Sequence, residues 1–120
     1  MTADRILLFA GGLLGAAGVA LSAAAAHAGG GNVATAANFL LFHAPAFLAI
    51  GLFGSSAGRV LKAGGWILLV GLLLFTGDLL ARHYFGNRLF PMAAPTGGTL
   101  MIAGWLVVAL AGILRAGSER

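Results

Sequence analysis

Residues 6–58 read ILLFAGGLLGAAGVALSAAAAHAGGGNVATAANFLLFHAPAFLAIGLFGSSAG, without one Asp, Glu, Lys or Arg. The hydrocarbon core of a bilayer takes about 20 apolar residues per helical crossing. This stretch is too long for one crossing and suits two, about residues 6–26 and 34–54. The turn Gly29-Gly30-Gly31-Asn32 joins them, with glycine supplying the backbone freedom of a tight reversal. Asn32 or Thr35 is available to cap the second helix.

Reading outward, a polar link from Ser55 to Arg59 leads to Lys62 and a third apolar run, about residues 63–81, which ends in Arg82-His83-Tyr84. A loop with Gly86, Asn87, Arg88 and Pro91 follows. Pro95 suits the first turn of a fourth helix, where its missing N–H is harmless, and the last run covers about residues 96–114. No run alternates polar and apolar residues with a period of two, which excludes the pattern of a β-barrel. The expected fold is all-α: one integral membrane domain over residues 1–120, a four-helix transmembrane bundle with up-down topology.

Composition agrees. The chain is 60% hydrophobic and 8% charged, with mean hydropathy +1.00; a soluble domain carries about 25% charged residues. A water-soluble fold this small exposes too much of itself to hide that apolar surface. The absence of cysteine excludes disulfides, thiolate catalysis and Cys-type metal sites. The net charge of +4 reports topology rather than nucleic-acid binding, because the basic residues sit at span ends and form no stripe. The expected partners are the lipid bilayer and other membrane proteins or a second copy, with no nucleic acid. Arg5, Arg59, Lys62, Arg115 and Arg120 fall on one side of a four-span layout, and Arg82 and Arg88 on the other. The positive-inside rule then puts both termini in the cytoplasm of a bacterial plasma membrane.

Arg5, the apolar run and Ala26-His27-Ala28 also fit a signal peptide with an A-x-A cleavage site. The run exceeds the usual ~7–15 residues of such a peptide. It also carries Gly11, Gly15, Gly18 and Ser22 at helix-packing spacing, which favours a retained span.

In this layout the chain resembles domain-of-unknown-function family 423, the YgdD- and YwdK-like small membrane proteins, with eukaryotic relatives in the transmembrane-protein-256 group. Residues 20–28, ALSAAAAHA, are similar to the family's ALGAFGAHA stretch. Residues 39–44, FLLFHA, are similar to its YQLYHA stretch, and residues 74–77, LFTG, to its LFSG. Pro95, Gly97, Gly98, Gly104 and Trp105 fall where TPxGG…GW falls. The chain departs at Asp78, where the family usually carries an uncharged residue, at Arg82-His83, and at Ala94. The resemblance implies a four-span membrane fold and no particular reaction.

Ionisable groups inside a span are functional candidates, because burying one is costly. His43 and Asp78 qualify; His27, Arg82 and His83 lie near the outer interface. The plain reading gives each a structural partner. Pro45 withholds an N–H from the Leu41 carbonyl, leaving an acceptor near His43. His27 ends a helix whose last carbonyls are exposed. Asp78 and Arg82 are four apart in the favourable order for a helical ion pair. His83 snorkels to the interface.

The sharper reading makes His27, His43, Asp78, Arg82 and His83 one polar intramembrane cluster. Three imidazoles and a carboxylate suit a divalent metal. Yet no HxxxH or HxxE pair shares a helix, and the two histidines of a haem site would sit at different depths. No cofactor, metal or catalytic residue is assigned. Gly11, Gly15, Gly18, Gly71, Gly97 and Gly104 are assigned to helix packing. The expected function is a non-enzymatic accessory, assembly or structural role; the alternative is a small transporter or a proton or metal conduit through the His/Asp cluster.

The charge bias yields a direct test. Reporter fusions at Arg120 and in the loop at residues 86–90 should report opposite sides of the membrane, with the C-terminal fusion active in the cytoplasm. Periplasmic activity at the C-terminus would reverse the orientation.

Overall fold

The computed structural model describes residues 2–53 and 57–118, without the side chains of Ala3 and of residues 115–118. Gly54, Ser55, Ser56, Arg120 and the Arg115 side chain, used above for a span end, a linker and the charge bias, lie outside the described residues. Four helices follow in order: α1 (Ala3–Ala28), α2 (Gly31–Phe53), α3 (Gly58–Phe85) and α4 (Ala93–Ser118). All four are long and apolar enough to cross a membrane, and the described residues contain no strand. The molecule is a four-helix membrane bundle.

α1, α3 and α4 run a few residues past the apolar runs at both ends, and α2 does so at its start. Thr2 caps α1, its hydroxyl accepting the Arg5 N–H at 3.3 Å. Gly29 closes α1 at φ +77°, its N–H bonding the Ala25 carbonyl. Only Gly29 and Gly30, at φ +77° and +108°, separate α1 from α2. A side chain with a Cβ rarely adopts such values. Asn32 therefore sits inside α2 instead of capping it. At the far end of α3, Gly86 adopts the left-handed conformation and donates its N–H to the Arg82 carbonyl, so Arg82, His83 and Tyr84 belong to the helix. With 28 residues α3 is about 42 Å long. That exceeds a core of about 30 Å, so its ends reach the headgroups or the helix tilts.

The bundle is built from two hairpins. α1 packs along α2, α3 packs along α4, and α2 joins the hairpins by packing on α3. α1 makes a minor contact with α3, and neither α1 nor α2 has a Cα within 8 Å of one in α4. The junction is filled by Leu7, Leu40, Phe47, Ile50, Leu68, Leu69, Leu72 and Met101. At one end an ion pair between Asp4 on α1 and Lys62 on α3, 2.9 Å apart, ties the hairpins together.

Within each hairpin the backbones nearly touch. Lipid tails are as apolar as leucine, so helices associate in a membrane mainly through close packing and interhelical polar contacts. A Cβ on Gly71 would lie 2.7 Å from the Gly97 carbonyl oxygen, and one on Gly97 would lie 2.6 Å from that of Gly71. Farther along the seam, a Cβ on Gly104 would meet Leu68 at 2.8 Å. In the first hairpin a Cβ on Gly11 would meet Leu48 at 2.9 Å and the Ala44 carbonyl at 3.0 Å, and one on Gly18 would meet Leu41 at 2.8 Å. Gly51 faces the α1 backbone, 2.7 Å from the Leu8 nitrogen on the same measure. Gly15 differs: its nearest neighbour would be the Ala44 Cβ at 3.6 Å, ordinary contact distance.

Gly71→Ala should destabilise the protein by about 1–3 kcal/mol, because the atoms it meets are backbone and cannot step aside. Gly12→Ala, whose Cβ meets nothing within 4 Å, should leave stability unchanged or slightly raised. Thermal melting of both variants in mild detergent tests the difference; equal melting temperatures would place the tight seam elsewhere.

Candidate functional site

The polar residues singled out from the sequence contact separate neighbours in the structure. His43 is buried in the middle of α2. Its Nδ1 lies 2.8 Å from the Phe39 carbonyl one turn earlier, and its Nε2 lies 3.1 Å from the Trp105 indole nitrogen on α4. An indole N–H can only donate, so Nε2 is the acceptor and Nδ1 carries the proton. The ring is thus a neutral imidazole with both nitrogens engaged. Phe39 stacks on it, with centroids 6.1 Å apart and planes 11° from parallel. The acceptor used is the Phe39 carbonyl and not that of Leu41, which Pro45 leaves without its helical donor.

Asp78 is fully buried near the other end of α3 and makes two contacts. Its Oδ2 pairs with the Arg82 guanidinium, Nη2 at 2.7 Å, as the spacing of four suggests. Its Oδ1 accepts the backbone N–H of Leu89 at 2.9 Å. The second contact was not legible in the sequence. It folds the α3–α4 loop back over α3, where Leu89 covers Gly77. Asp78 is therefore a loop anchor as well as a counter-charge. Thr76, the third buried polar side chain, donates to the Leu72 carbonyl on its own helix at 2.7 Å.

His83 is exposed and lies against the α1–α2 turn, its Cε1 2.6 Å from where a Gly30 Cβ would sit. Its ring meets Tyr84 edge to face. His27 is exposed at the end of α1. No group of three or more His, Asp or Glu side chains among the described residues converges as metal ligands would.

The residue that sequence reasoning left unpaired is Trp105. Its signal was available: an indole N–H inside a span needs an acceptor. Its bond to His43 is a polar bridge across the gap between α2 and α4. Grooves lie on both sides of it. One, about 330 Å³, is lined by Phe39, His43, Phe75, Gly98, Met101 and Trp105 among others. The other, about 470 Å³, runs past Pro45, Ala49, Ile50, Leu61 and Val108. Their walls are almost wholly apolar.

Four apolar helices, glycine seams and the internal hydrogen bonds of His43, Thr76 and Asp78 define a small polytopic membrane protein. The chain belongs to the family described as protein of unknown function (DUF423), whose model matches residues 14–98. A UPF0382 membrane protein of Staphylococcus epidermidis is 32% identical over 82 residues, 68% of this chain and 67% of that one. A UPF0382 membrane protein of Haemophilus influenzae is 31% identical over 75 residues, 62% of this chain and 60% of that one. No solved structure matches the chain.

The two contacts of Asp78 can be separated. Asp78→Ala removes both and should lower stability by about 2–3 kcal/mol, the scale of hydrogen bonds to a charged group. Asp78→Asn keeps an acceptor for Leu89 and should lose less. Limited proteolysis of the 86–92 loop should accelerate in the order wild type, Asn, Ala; equal rates would remove the anchoring role.

Proposed function

We propose that this chain is a non-enzymatic accessory or structural protein of the bacterial plasma membrane, with both termini in the cytoplasm. One observation carries the reading: the buried polar side chains His43, Thr76 and Asp78 all end on partners within the protein. A group committed in this way must break a bond before it can take up a proton, a metal or a substrate. The clefts beside His43 are apolar and offer no row of polar side chains for an ion to follow. The relatives named as membrane proteins come from bacteria, which supports the location.

The test removes the polar bridge without orphaning either half. In the double variant His43→Leu/Trp105→Phe no donor or acceptor is left unpaired, so the fold should persist. Restored to a strain lacking the protein, it should return the membrane proteome to the wild-type pattern. Proteoliposomes of the wild-type protein should be no more permeable to protons than empty vesicles. Proton flux that the double variant abolishes would overturn the accessory reading in favour of a conduit.

A further inference from the structure

The His43–Trp105 groove continues along α3 and α4 to the end of the bundle where these two helices meet. There it widens into an opening of about 680 Å³ that shares Phe75, Gly98 and Ile102 with the groove below. Arg82 and Arg88 line this opening. We propose that the cleft binds one anionic glycerophospholipid of the surrounding bilayer, with its phosphate on the two arginines and one acyl chain laid along the groove towards Trp105.

Four features match that occupant. Charge is the first. Among the described residues Asp78 is the only acid paired with either arginine, and it is engaged with Arg82 and the Leu89 N–H, so the corner keeps a net positive charge. Second, Arg82 is only partly committed within the protein: its Nη2 pairs with Asp78, while its buried Nε makes no hydrogen bond. Third, Ala94 and Pro95 of the first turn of α4 form part of the wall. The positive end of the α4 helix dipole favours an anion there. Fourth is length. From Ala94 to Trp105 the helix rises about 16 Å, close to half of the ~30 Å hydrocarbon core. The groove is one leaflet deep, and the imidazole–indole bridge forms its floor. The volumes of the groove and its mouth are those of small-ligand sites. The inference does not depend on the accessory role.

Gly98 provides a clean variant. A Cβ there meets nothing within 4 Å, yet the residue lines both the groove and its mouth. Gly98→Leu should therefore fill the cleft without disturbing the seams. The experiment uses the full chain in mild detergent, with phosphatidylglycerol or phosphatidylcholine added and native mass spectrometry as readout. Phosphatidylglycerol adducts should exceed phosphatidylcholine adducts several-fold. Arg88→Gln should reduce that preference about fivefold, the effect of one arginine near an anionic headgroup. Gly98→Leu should remove both adducts while the melting temperature holds. Should Gly98→Leu fold poorly, Ile102→Trp blocks the same groove from an exposed position. Equal adducts of the two lipids, or phosphatidylglycerol binding that survives both groove-filling variants, would overturn the proposal. So would inorganic phosphate stabilising the protein as well as the lipid does, or a dimer that Gly98→Leu dissociates.

Discussion

α3 and α4 pack backbone to backbone where Gly71 and Gly97 face each other, each leaving no room for a side chain on the other. The rest of the bundle depends on contacts of this kind. Lipid removes the solvent contrast that drives helices together in water, so adhesion must come from dispersion and from backbones brought near enough for it to accumulate. The same device recurs in the first hairpin at Gly11, Gly18 and Gly51. Two rigid hairpins result, and larger side chains such as Phe47, Leu68 and Leu72 fill the space where they meet.

That division leaves α2 and α4 apart, and the gap decides where polar chemistry can occur. A neutral imidazole and an indole span it with one hydrogen bond. Each is tolerable in an apolar setting because its polar atoms are matched, whereas an unmatched group in hydrocarbon would cost several kcal/mol. The bridge divides the cleft into two apolar grooves, and the arginines at the mouth of one make its two ends chemically different. Asp78 has a separate role. By accepting the Leu89 N–H it holds the α3–α4 loop against α3, and by pairing with Arg82 it offsets part of the positive charge there.

The sequence by itself determined the membrane class, the number of helices and the links between them. Those follow from one-dimensional quantities: uncharged length, glycine punctuation and the placement of Pro95. The Asp78–Arg82 pair was equally legible, because a spacing of four on a helix is a local fact. The tertiary structure alone decided how the remaining polar groups were matched. His43 and Trp105 are 62 residues apart, and Asp78 reaches Leu89 only because the loop turns back. Spacing along one helix cannot show which face of another will be opposite. For that reason the five polar residues read as one cluster in the sequence, whereas in the structure His43 bridges to α4, Asp78 and Arg82 secure the loop, and His83 covers the α1–α2 turn. Likewise Gly15 and Gly18 carry the same sequence signal, and only the crossing of α1 over α2 makes one indispensable to close contact and leaves the other with room for a methyl group.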